Sequence, residues 1–173
     1  MERWDLLDEE GNPTGETMDR GAYMRAGQYH LVVHIWVVDG HGHILLQKRS
    51  MRRRLMPGVW AATGGSAIAG EDSETAARRE LHEELGIATE PGEMKKIARL
   101  RRRNAFTDIW LLRREVDAKK LRLQREEVAT VRWVTEQEWR VMIVNGRFHH
   151  YGRAYFDTVM PALRAANAPD QVK

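Results

Sequence analysis

An α/β fold is expected from this 173-residue sequence on three observations. The run His30 to Val38, HLVVHIWVV, is apolar on both alternating faces, as a central strand must be. The run SETAARRELHEEL, residues 73–85, is dominated by the good helix formers Ala, Leu, Glu and Arg. Further strand-like segments follow it, so the chain reads strand, hairpin, helix, strand.

Length and composition bound the rest. The chain fits one domain, residues 1–173, long enough to bury a core, and its 42% hydrophobic content is that of a folded protein. It contains no cysteine, which removes disulfides and thiol nucleophiles. No apolar run approaches the roughly 18 residues of a membrane span, and no charged-then-apolar leader precedes Trp4. A cytoplasmic protein with no membrane partner is expected. The net charge of +3 suits acidic small molecules and is no strong signal for nucleic acid.

In order, residues 1–20 place short extended pieces around the turn Glu10-Gly11-Asn12-Pro13-Thr14-Gly15, a β-hairpin or arm whose Trp4, Leu6 and Leu7 need a surface to cover. After the central strand, Asp39 to His43 form a turn and Ile44 to Gln47 return as a second strand. A basic run follows: Lys48, Arg49, Arg52, Arg53 and Arg54. Lys48 and Arg49 leave the strand toward the loop before Gly65, and arginine forks suit phosphate oxygens. Met56 to Trp60 and Thr63 to Gly65 surround a short strand with turn residues, and Gly64 and Gly65 let backbone approach a ligand closely. Ile97 to Arg103, Phe106 to Val116 and Ala129 to Val134 read as strands. Thr135 caps a short helix with Trp139 and Met142. Tyr151 to Leu163 is a final helix that Pro161 is expected to bend, with a frayed tail from Asn167 to Lys173.

The helix over residues 73–85 carries the chemistry. Ser73 is expected to cap it, and Gly86 to end it. At roughly 100° per residue, Glu83 and Glu84 fall near −60° and +40° of Glu80, while Ala77, Leu81 and Leu85 form a separate apolar stripe. One edge packs on a sheet and the adjoining edge presents three carboxylates. Spacing alone leaves two readings, a site for a hard cation such as Mg²⁺ or a solvated acidic face.

The wider pattern decides between them. Gly65, Glu71, Arg79, Glu80, Leu81, Glu83, Glu84, Gly86 and Ile87, spread over residues 65–87, match the Nudix box at every defining position, and the chain resembles the Nudix hydrolase family. The resemblance implies an α/β/α sandwich around a mixed sheet, and a Mg²⁺- or Mn²⁺-dependent hydrolase that uses water to cleave the diphosphate linkage of a nucleoside diphosphate-X or nucleoside triphosphate. Carried over by position, Glu80, Glu83 and Glu84 are metal ligands, Glu83 or Glu80 serves the attacking water, and Arg79 orients a box glutamate, through Glu71 or directly. Gly65, Leu81, Gly86 and Ile87 are structural. A base outside the box would be Asp108, Glu126 or Glu127. Lys48, Arg49, Gly64, Gly65, Asp108 and Glu127 are the candidate substrate-binding residues. The implied partner is a small diphosphate or nucleotide, and homodimer formation is left open.

Within that family, WDLLDEEGNPTG, YHLVVHIWVV, LLQKRS and MPGVW resemble the branch that includes isopentenyl diphosphate isomerases. That branch uses a cysteine and a histidine just before the box, where this chain has Gly64 and Ser66. His30 matches one metal-site histidine of the isomerases without its companions, so hydrolysis is favoured over isomerisation. A binding module that has lost catalysis would show damaged box glutamates, and none is damaged here. His30 and His34 share a strand face but make no zinc site between them. The pairs His41/His43 and His149/His150 are expected to be exposed. Trp36, Trp60, Phe106 and Trp110 are expected to fill the core more than to stack a base.

Overall fold

The structure is a computed structural model, and it describes residues 2–168. The N-terminal hairpin pairs β1 (Arg3–Leu7) with β2 (Pro13–Asp19). Its turn is held by Asp8, whose Oδ1 accepts the N–H groups of Glu10 and Asn12 at 3.0 and 2.8 Å. The remaining strands form one sheet: β3 (His30–Val38), β4 (His43–Arg49), β5 (Trp60–Ala61), β6 (Thr63–Ser66), β7 (Lys95–Arg101), β8 (Ala105–Arg113) and β9 (Val128–Thr135). Its backbone order is β5-β4-β3-β8-β7, with β6 on β3 and β9 on β4. β3 and β8 run parallel and the other strand pairs antiparallel, so the sheet is mixed.

Among the described residues, three helices cover it. α1 (Ser73–Leu85) lays Ala76, Ala77, Leu81 and Leu85 against Val33, Ile35, Trp110 and Leu112. On the opposite face α2 (Glu136–Val144) and α3 (Arg153–Asn167) bury Trp139, Tyr155 and Val159 against Trp36, Leu46 and Ile109. This is the expected α/β/α sandwich. The alternation of β3 explains it, since Val33, Ile35 and Val37 feed one core and Trp36 and Val38 the other.

One edge of β3 is shared. β4 pairs with it only at Val37 and Val38, and β6 takes over from Val32 to Ile35. The sheet therefore forks between β4 and β6, and Gln47 of β4 sits in the fork, 2% exposed. The hairpin lies beside the loop leading to α1: Ala69 N–H bonds to the Arg3 carbonyl at 2.8 Å and Gly70 N–H to Asp5 at 2.7 Å. Leu7 and Tyr29 exchange backbone bonds and join Phe106 in a small third core.

Several boundaries differ from expectation. Asp72, not Ser73, caps α1 and accepts Thr75 N–H at 2.7 Å. Ser73 is turned inward, where its hydroxyl accepts the Trp110 indole N–H at 2.9 Å and reaches Asp108. The last helix runs through Pro161 to Asn167, whose amide holds Gly40 N–H (3.0 Å) and the His43 carbonyl (3.3 Å). Asn167 is thus anchored rather than frayed, and the tail expected beyond residue 168 lies outside the described residues. Among the described residues no helix is long and apolar enough to cross a membrane.

Candidate active site

α1 holds its three glutamates in three different environments. Glu84 is buried, 4% exposed, and inserts into the fork. Its Oε2 accepts Gln47 Nε2 at 3.0 Å and Gly64 N–H at 3.2 Å. The side chain of Glu80 is 14% exposed and that of Glu83 is 48% exposed. The single acidic stripe read from helical spacing is therefore graded from interior to solvent.

Arg79 joins the group. Its Nε and Nη2 form a fork on Glu71 at 2.7 and 2.9 Å, Nη2 also reaches the Ser66 carbonyl at 3.1 Å, and Nη1 reaches Glu80 at 2.9 Å and Glu83 at 3.1 Å. The bonds to Glu71 lead in holding its proton above the ordinary range of arginine. Glu71 is itself set by Ile68 N–H at 3.0 Å. Gly65 closes the other side: a Cβ there would lie 2.5 Å from Cδ and 2.7 Å from Oε2 of Glu80. Only a residue without a side chain lets that carboxylate lie where it does.

Burial pushes Glu84 up to about 8, helped by the neighbouring charge of Glu80 and opposed by the bonds from Gln47 and Gly64. Burial also raises Glu80, against the opposing charge of Arg79. Two half-starved carboxylates side by side in the interior, one cradled by a glycine, are a donor set that fits a divalent cation with oxygen preference. As the side chains stand, no three acids or histidines among the described residues enclose a point at metal distance. Arg79 is on Glu80 and Glu83, and the exposed Glu83 has the freedom to turn.

The other expected residues divide. Arg49 lies in the neighbourhood of Glu84 and Glu127, and its Nε and Nη2 bind the Leu55 carbonyl at 3.1 and 3.0 Å. Glu127 pairs with Arg53 and its charge reaches Glu84; Glu126 pairs with Arg52 at 3.5 Å. Lys48 is not brought to the carboxylates: strand alternation puts it on the face of Leu46, opposite Gln47. Asp108 is not brought there either. It is fully buried, bound by Arg99 at 2.6 and 2.8 Å and by Lys96 at 2.7 Å. Burial would raise its pKa, but the bonds from Arg99, Lys96 and Ser73 hold the carboxyl below its ordinary value. Asp108 thus ties β7 and β8 to the start of α1.

Sequence reasoning missed Gln47, for which the only signal is an amide inside the apolar strand ILLQ. It also missed Tyr151, whose hydroxyl is buried near Glu84 and Arg49, and Arg102, which donates to the Tyr151 carbonyl. His149 is not simply exposed: it stacks on Tyr151 with ring centroids 4.4 Å apart. His30 is buried under Trp4, centroids 4.0 Å apart. A cleft of about 770 Å³ opens beside Glu83, lined by Glu2, His82, Arg122, Gln124 and Glu126.

Residues 28–152 match the NUDIX domain. The chain is 38% identical over 152 residues to a Listeria monocytogenes protein named uncharacterized Nudix hydrolase lmo0368, covering 87% of this chain and 90% of that one. It is 28% identical over 173 residues to an isopentenyl-diphosphate Delta-isomerase of Streptomyces avermitilis, covering 95% of this chain and 87% of that one. Among solved structures, DR0079 from Deinococcus radiodurans superposes with a TM-score of 0.75 at 21% identity, over 95% of this chain and 99% of that one, a likeness of fold. With its box complete and its fold matched, the chain belongs to the Nudix family and is a Nudix hydrolase.

Proposed function

We propose that this protein cleaves the diphosphate linkage of a nucleoside diphosphate-X or nucleoside triphosphate by attack of water, with Mg²⁺ or Mn²⁺ held by Glu80, Glu83 and Glu84. The observation that carries this reading is the buried pair Glu80 and Glu84, raised in pKa and packed against glycine backbone. A divalent cation bound there would neutralise phosphate charge and acidify a bound water.

The chain's own groups supply order and proton transfer. Gln47 and Gly64 N–H fix one oxygen of Glu84. Glu71 and the Ser66 carbonyl fix Arg79, and Arg79 steadies Glu80. Glu83, the most exposed of the three, has room to take a proton from water. Glu127 is the second candidate base, held by Arg53 within electrostatic reach of Glu84. Asp108 is spent on its ion pairs and drops out. Arg49, beside the acids, is the cation placed to meet a phosphate. An isomerase reading has no thiol to carry it.

A screen of nucleoside diphosphate and triphosphate substrates with Mg²⁺, reading released phosphate or pyrophosphate, tests the proposal. Glu83→Gln and Glu84→Gln should each lower turnover at least ~100-fold with the circular dichroism spectrum unchanged. Near-normal turnover in both would overturn the metal-site assignment. No turnover of any substrate by the wild-type protein would leave a nucleotide-binding module.

A further inference from the structure

His34 projects from β3 away from α1, toward Tyr151 and Tyr155, with ring centroids 4.8 and 5.5 Å from its own. Its Nδ1 is 2.9 Å from the Tyr155 hydroxyl oxygen, and Trp36 Nε1 is 3.0 Å from the same atom. An indole N–H only donates. The Tyr155 oxygen therefore accepts from Trp36, and among the described residues the one partner able to accept the proton of this buried hydroxyl is Nδ1 of His34. Nδ1 is then an acceptor, and the imidazole proton is on Nε2. Trp36 and Tyr155 are wholly buried in the larger core, so packing fixes the relay that selects this tautomer.

Nε2 makes no hydrogen bond among the described residues, and His34 is half-buried rather than sealed in the core. Its neighbour Cδ2 lies beside Gly64, 3.1 Å from where a Cβ would stand, and the Gly64 N–H is bonded to Glu84. The imidazole edge is thus one residue from the carboxylate site. Arg102 and His149 are near enough to act on His34, and Arg49 on His149. Burial first, then those two neighbours, lower its pKa to about 3, which keeps it neutral.

We propose that His34 is a substrate-binding residue whose Nε2–H donates a hydrogen bond to a phosphate oxygen of the substrate, beside Gly64. The inference rests on the diphosphatase reading above. His34 acts there as a donor of fixed direction and takes no proton, while Arg49 and Arg102 bring the positive charge.

The test uses the intact chain labelled with ¹⁵N-histidine, in saturating Mg²⁺, with methylenediphosphonate as probe. Long-range ¹H–¹⁵N spectra should show the Nε2–H tautomer, and that proton should shift on adding the probe. His34→Leu should bind the probe about tenfold more weakly, whereas His34→Gln, whose amide nitrogen reproduces the donor, should bind close to wild type. A Nδ1–H tautomer would overturn the inference and leave the diphosphatase reading standing. So would an unmoved Nε2–H together with wild-type affinity in His34→Leu. A wild-type protein that does not bind the probe overturns both. The spectra are taken on wild-type protein, so they decide the matter even if a variant fails to fold.

Discussion

At Gly65 the backbone is in an ordinary conformation, so an alanine would be free of dihedral strain; its methyl group would instead collide with the Glu80 carboxylate. Gly65→Ala should therefore leave the melting temperature near wild type and weaken Mg²⁺ affinity about tenfold or more, the order of a lost charge-assisted contact, as titration calorimetry can measure. Equal affinity would show that the Glu80 position is not needed. Glu84 gives a second expectation. With its carboxyl raised to about 8, binding a divalent cation must displace a proton from it. Affinity should rise with pH up to about 8 and then flatten; no change between about pH 6 and 8 would contradict this. Helical spacing placed the three glutamates on one edge of α1, and the resemblance to the Nudix box, with Gly65 and Glu71 ahead of the helix, gave them a role. Gln47 was not legible, because its value comes from a partner 37 residues away across the fork. Asp108 looked available in FTDIW for the same reason: the cations that enclose it come from the neighbouring strand.

The elements were readable in type and order, and their ends were less so. α1 shows why. Ser73 and Asp72 both have the chemistry of a cap, and only tertiary structure reveals that the serine hydroxyl is taken by Trp110 and Asp108. Asp72→Ala should lower stability by about 1 kcal/mol, whereas Ser73→Ala should act through the packing of β8. A calorimetric comparison separates them, with Asp72→Ala shifting the melting temperature by about 2–4 °C in a chain of this size. An unchanged melting temperature would return the capping role to Ser73. The forked edge of β3 was invisible beforehand, since nothing in a strand's own residues says that two neighbours will share it.

For the molecule as a whole, the layers followed from alternation: β3 and β8 are apolar on both faces, so helices must cover both. Burial of histidine in such a sandwich carries a pH consequence. His30, ordinarily at 6.5, is brought down to about 4, first by burial and then by Arg20. As pH falls, the unfolded chain takes up this proton before the folded one. Stability is unaffected above 6.5, then falls toward pH 4 by about 1.4 kcal/mol per pH unit from this group. His30→Phe keeps a ring under Trp4 and removes the proton, so its acid-unfolding midpoint should move to lower pH; an unmoved midpoint would contradict the assignment. The fork has a further consequence for the life of the protein in solution. β6 turns the amide of Gly64 away from β3 and into the interior of the fork, where an N–H without an acceptor is costly. Glu84 covers that amide. Variants that remove its oxygens should therefore be judged for stability as well as for turnover, because the acid that would grip the ion also satisfies an inward-facing amide of the sheet.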